Sequence, residues 1–166
     1  VAALAQIKFR NAGQICANPS RFYVHRRHQA AFVDAFAAVA RETVVGPGED
    51  AATTMGPLAN ERRWRAVQSL VDDARQQGAQ VVCGGQTGDS AGRDQGYFYL
   101  PTVLADVPVQ ARILHEEPFG PLVPVVPFDS IDEALAMANG LSVGLAAFVF
   151  TQNLRTARQL SEGLQA

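Results

Sequence analysis

Two segments of this 166-residue chain carry residue types that can do chemistry. The first is Phe9-Arg10-Asn11-Ala12-Gly13-Gln14-Ile15-Cys16-Ala17, in which a cysteine follows a polar, glycine-bearing turn between a helical stretch and a strand. A thiolate, not a thiol, is the nucleophile, and its pKa falls where backbone N–H groups or cations converge on it. A sulfur exposed after such a turn is therefore placed for covalent catalysis. By itself a lone cysteine is more often a small buried core residue than a nucleophile. Cys83 takes that second reading, because it closes the apolar run Val81-Val82-Cys83 ahead of Gly84-Gly85. Cys16, in its polar setting, does not.

The second segment is His115-Glu116-Glu117-Pro118-Phe119-Gly120-Pro121, where two prolines fix the backbone on either side of an aromatic and a glycine. A carboxylate beside a rigid turn can accept two hydroxyl hydrogen bonds, as ribose recognition requires, and an aromatic face can pack on a flat ring. A surface turn with solvated glutamates is the alternative. Glu116 and Glu117 do not make an acid/base pair by adjacency alone, since sequence neighbours need not point the same way.

The elements that must position these segments alternate short β-branched or aromatic runs with longer amphipathic stretches, the pattern of βα units around a mostly parallel sheet. Strands are expected at residues 21–25, 80–83, 122–126 and 146–150. Residues 97–103 are a further extended stretch, bent or at an edge because of Pro101. Ala31, Phe32, Ala35, Phe36 and Val39 recur at helical spacing within 28–43, as do Trp64, Val67, Leu70, Val71 and Ala74 within 60–77. Ser130-Ile131-Asp132-Glu133 reads as a capping box that opens a helix ending at Asn139-Gly140. A last helix runs from about Asn153 toward Gly163. The first seven residues read as the inside of an apolar helix, and the stretch from Gly84 to Gly96 as one exposed loop.

Composition limits the possibilities further. Apolar residues make up 48% and charged residues 18% of the chain, which excludes disorder as the main state. A net charge of -2 leaves no electrostatic footprint for nucleic acid or an anionic membrane, so a small-molecule or protein partner is expected. No apolar run reaches the roughly 20 residues needed to span a bilayer. Cys16 and Cys83 form no CxxC pair and no cluster with the three histidines, which speaks against a disulfide framework or a zinc site. A cytoplasmic location is expected. Of the fourteen basic residues only Lys8 is lysine.

Together these residues resemble the aldehyde dehydrogenase superfamily. Phe9-x-Asn11-Ala12-Gly13-Gln14-x-Cys16 is similar to that family's catalytic cysteine motif, and Glu117-Pro118-Phe119-Gly120-Pro121 to its cofactor motif. Met55-Gly56-Pro57-Leu58, Gly84-Gly85, Pro101-Thr102-Val103-Leu104 and Asn139-Gly140-Leu141-Ser142-Val143-Gly144-Leu145 resemble family segments in the same order. The resemblance covers the whole chain. Within the superfamily, Lys8-Phe9-Arg10-Asn11-Ala12-Gly13-Gln14 and Val81-Val82-Cys83-Gly84-Gly85 are most similar to succinate-semialdehyde dehydrogenases.

The resemblance implies a three-layer αβα catalytic domain with a mostly parallel sheet over residues 1–166. It implies Cys16 as the nucleophile, Arg10 as the anchor for a distal substrate carboxylate, and Glu117 and Phe119 as contacts to the nicotinamide end of NAD or NADP. A guanidinium fork does suit a carboxylate better than an ammonium point charge, although Arg10 pairing with an acidic neighbour is the alternative. The family's dinucleotide-binding domain, oxyanion asparagine and general-base glutamate belong to a region that has no counterpart here. The expectation is thus an incomplete catalytic domain without turnover by itself, whose parent oxidises a small-molecule aldehyde and forms a homo-oligomer. Two competing readings stay open: an aldehyde dehydrogenase of another substrate class, and a non-catalytic α/β interaction module. A further fallback, a free-standing α/β binding domain unrelated to redox chemistry, predicts Cys16 and Glu117 on opposite faces.

Overall fold

Four strands, β1 (Phe22–His25), β2 (Gln80–Cys83), β3 (Thr102–Ala105) and β4 (Leu122–Phe128), form one sheet in the order β1-β4-β3-β2 in a computed structural model that describes residues 1–86 and 96–166. β4 runs parallel to both β1 and β3, and β2 closes the far edge antiparallel to β3. The sheet is mixed and mostly parallel, as the alternating pattern predicts. β3 and most of β4 are buried, which explains their unbroken apolar runs.

Among the described residues five α-helices accompany the sheet: α1 (Ala2–Phe9), α2 (Arg26–Glu42), α3 (Glu61–Gln76), α4 (Ile131–Ala138) and α5 (Leu154–Gly163). α2 packs across all four strands and against α1. It buries Val33, Phe36, Ala37 and Ala40, while Ala31 and Ala35 face solvent, so its inner face is rotated from the one expected. The rotation follows from Phe36, which meets Phe9 of α1 and Phe22 of β1 edge-on at ring-centre distances of 5.8 and 5.4 Å. α3 buries Val67, Leu70, Val71 and Ala74 as the spacing predicts, and Asn60 caps it by accepting the Arg63 N–H at 2.9 Å. α4 starts where the capping box places it, with Ser130 accepting from the Glu133 N–H, although the Glu133 carboxylate reaches back to the Asp129 N–H instead of Ser130.

Residues 146–150 are not a strand. They border a groove beside Phe22–His25 without pairing, and Phe150 is 67% exposed. An apolar run specifies burial, but a strand also needs a partner edge for its N–H and C=O groups. Of the loop expected between Gly84 and Gly96, residues 87–95 lie outside the described residues.

Candidate active site

α1 gives way at Arg10–Gly13 to a tight turn in which Asn11, Ala12 and Gly13 all take left-handed backbone angles, with φ of 51°, 52° and 75°. Asparagine tolerates that region through local hydrogen bonds, and here Asn11 Nδ2 donates to the Gln14 carbonyl at 3.1 Å. Gly13 is required for a second reason. A Cβ at this position would fall on the backbone carbonyl of Gly120, so the turn and the Pro-framed segment lie in direct backbone contact. Gly120 is close-packed in turn, with a Cβ there meeting Val67 of α3 at 2.5 Å.

Gln14 fastens the turn to the rest of the molecule. Its amide donates to the carbonyls of Asn11 at 3.0 Å and Pro57 at 3.3 Å, and its Oε1 accepts the Ala59 N–H at 2.8 Å. Asn18, beyond Cys16, donates to the carbonyls of Ile7 and Lys8 at the end of α1. Cys16 is exposed between these anchors. Cys83 is half-buried at the end of β2, and burial pushes its thiol pKa up. Arg10 is exposed and has no carboxylate partner among the described residues, so the acidic-neighbour alternative has no support here.

On the facing segment the two glutamates have separate fates. Glu116 is held by Arg112 at 2.7 Å, and that hydrogen bond keeps its carboxyl below the ordinary range. Glu117 is exposed and makes no hydrogen bond or ion pair among the described residues, leaving both oxygens free to accept. Phe119 is half-buried with φ of 43°, an outlier for a bulky side chain and a local strain of about 1–3 kcal/mol held by its surroundings. Those surroundings include Arg63 of α3, whose guanidinium lies 5.7 Å from the Phe119 ring centre and donates to the Pro118 carbonyl at 3.3 Å. A free carboxylate beside a braced aromatic ring suits a ribose next to a flat heterocycle.

Cys16 and Arg10 therefore belong to one loop, Glu117 and Phe119 to another, and the Gly13–Gly120 contact joins the two. The reading as a free-standing binding domain expected them on opposite faces. The motif spacing did not reveal Gln14, Asn18 and Arg63 as the groups that brace these loops; only Gln14, beside Gly13, carried a signal in its neighbours. Among the described residues no helix is long and apolar enough to cross a membrane, and no group of three or more His, Cys, Asp and Glu could hold a metal ion.

Comparison with known proteins follows the same outline. The model of the aldehyde dehydrogenase family matches residues 1–166. The chain is 47% identical to 4-(hydroxymethyl)benzenesulfonate dehydrogenase TsaD1 of Comamonas testosteroni over 98% of its own length and 33% of the relative. It is 41% identical to the mitochondrial succinate-semialdehyde dehydrogenase of Homo sapiens, over 99% of the chain and 31% of that protein. A succinate-semialdehyde dehydrogenase structure from Burkholderia pseudomallei superposes with a TM-score of 0.93 at 35% identity, covering 98% of this chain and 33% of that one. A 3,6-anhydro-L-galactose dehydrogenase solved in complex with NAP gives the same TM-score at 37% identity, covering 98% and 34%. The chain spans about a third of the length of the curated relatives it matches.

Proposed function

This chain belongs to the aldehyde dehydrogenase family, and on that premise we propose that it carries the nucleophile of an enzyme that oxidises an aldehyde bearing a distal anion, succinic semialdehyde first. The observation that supports this most is the backbone contact of Gly13 with Gly120, which joins the loop of an exposed cysteine to a free carboxylate and a braced aromatic ring.

In this reading the Cys16 thiolate adds to the aldehyde carbon, the new C–S bond pushing the carbonyl π electrons onto oxygen. The Cys16 backbone N–H donates to that oxyanion. NAD or NADP, when bound, would supply the hydride acceptor for this oxidation, which would leave the substrate carbon on Cys16 as a thioester. Water then adds to the thioester, releasing the carboxylic acid and restoring the thiol. Glu117 would accept hydrogen bonds from the hydroxyls of the ribose next to the nicotinamide, and Phe119, braced by Arg63, would pack against the ring. These contacts alone are too few to exceed about millimolar affinity once association entropy is counted, so the 166 residues by themselves give no turnover.

Arg10 supplies the substrate preference. Its guanidinium has no internal partner among the described residues and so is available to a carboxylate or a sulfonate. Relatives named for succinate semialdehyde and for a benzenesulfonate both imply an anionic group at the far end of the substrate. The parent assembles as a homo-oligomer in this reading, supported by the exposed apolar side chains of Val143, Leu145, Phe150 and Leu154. Two unpaired thiols fit a reducing, cytoplasmic location.

The test is a comparison, in the full-length parent, of succinic semialdehyde with butanal, which has the same length and no carboxylate. Arg10→Ala should lower kcat/KM for the semialdehyde by at least about tenfold, the loss of one charge-assisted contact, and leave butanal unchanged. Equal losses on both substrates would remove the distal-anion assignment while leaving the reaction class in place.

A further inference from the structure

Lys8 is 1% exposed, the only lysine in the chain, and it lies two residues before the turn that leads to Cys16. Every other cation is arginine, which would stay charged in the same place. An ammonium group buried this completely costs stability unless it is used, and an aliphatic side chain would pack the same space without that penalty. Lys8 does have a use: its Nζ donates to the Pro19 carbonyl at 2.9 Å. Next to Pro19, the Asn18 amide donates to the carbonyls of Ile7 and Lys8 at 3.0 and 3.1 Å. Those carbonyls are among the last four of α1, which have no partner within the helix.

The chain thus leaves α1 at Phe9, turns, exposes Cys16 and returns to the same helix end, where three side-chain hydrogen bonds fasten it. We propose that Lys8 and Asn18 are positioning residues, a clamp that closes the Cys16 loop onto the end of α1 and so fixes where the sulfur stands. The role in catalysis rests on the reading of Cys16 as nucleophile; the clamp itself does not. Lysine suits the position because its point-like ammonium on a slender stem fits a buried hole, and because it can give up its proton while keeping N–H donors for Pro19. Burial alone brings its pKa down to about 7.

The experiment uses this chain as wild type and as Lys8→Met, Lys8→Gln and Asn18→Ala. Amide hydrogen exchange is followed peptide by peptide, and Cys16 and Cys83 alkylation by iodoacetamide is followed by mass spectrometry. In Lys8→Met, residues 14–20 should exchange at least about tenfold faster while β3 and β4 keep their protection. The Cys16 alkylation rate should shift with them and the Cys83 rate should not. Lys8→Gln, which retains an amide donor, should recover part of both changes. Asn18→Ala should reproduce the Met phenotype, and it decides the matter if Lys8→Met fails to fold. Unchanged exchange of residues 14–20 in Asn18→Ala, or recovery absent in a folded Lys8→Gln, overturns the clamp. If exchange responds as expected but Cys16 proves dispensable for parent activity, the clamp stands and the nucleophile assignment falls.

Discussion

Cys16 stands exposed in a loop pinned at both ends by side-chain hydrogen bonds, whereas Cys83 closes β2 half-buried against the core, with its thiol pKa raised by burial. The side chain is the same and the surroundings differ in kind. Around Cys83 burial against the core dominates, with a single backbone hydrogen bond from the neighbouring strand at Val103. Around Cys16 the contacts are polar, directional and drawn from distant parts of the chain: Pro57 and Ala59 through Gln14, Gly120 through Gly13, and the end of α1 through Asn18 and Lys8. Nonspecific packing suffices to fold a strand, but fixing one atom in space takes a bonded frame.

The largest effect should come from putting a methyl group into that frame. Gly13→Ala places a Cβ on the Gly120 carbonyl at a backbone φ of 75°, and it should lower unfolding free energy by about 3 kcal/mol or more, read by urea denaturation. A loss below about 0.5 kcal/mol would mean that the two loops are not pressed together, and the contrast between the cysteine sites would weaken accordingly.

A smaller effect separates the sites through pH. Lys8 has an ordinary pKa of 10.5 when unfolded and about 7 when folded, so between those values the unfolded chain binds more protons and stability rises with pH. Below the folded value both states are protonated and the full burial penalty applies. The wild type should therefore gain up to about 1.4 kcal/mol per pH unit above neutrality, measured as a rising melting point between pH 7 and 9. Lys8→Met should lack that rise. Parallel curves for the two proteins would place the ammonium in water and dissolve the clamp.

The smallest effect is the most direct. At pH 7.5 iodoacetamide should alkylate Cys16 at least about tenfold faster than Cys83, since Cys16 is exposed while burial shields Cys83 and raises its thiol pKa. Equal rates would erase the distinction from which the functional reading starts.

These comparisons also show how far the residues could be read in advance. α3 and the start of α4 follow from apolar spacing and caps, and β4 from its unbroken apolar run, because these signals are local, whereas β3 lies at Thr102–Ala105 inside the sheet and not in the bent or edge stretch expected at 97–103. The inner face of α2 was misjudged because its rotation is set by Phe9 and Phe22, which lie outside the helix. Residues 146–150 carry a strand's composition without a strand's hydrogen bonds, which no property of the segment itself reveals. At the candidate site, the motif residues Cys16, Arg10, Glu117 and Phe119 could be picked out, and the separate engagement of Glu116 by Arg112 could not. Nor could the bracing by Gln14, Asn18, Lys8 and Arg63, whose partners are mostly backbone carbonyls. A carbonyl leaves no trace in residue type.

The meeting of Gly13 with Gly120 has a consequence for assembly in time. Two stretches so remote along the polymer find each other only after the intervening strands have collapsed together, because closing so large a ring early is entropically unfavourable. During synthesis from the N-terminus, the sulfur-bearing loop emerges first and waits, unsupported, for the Pro-framed corner to arrive. The joining of the two loops is therefore expected among the last features to form, and a thiol probe applied to refolding chains would time its completion.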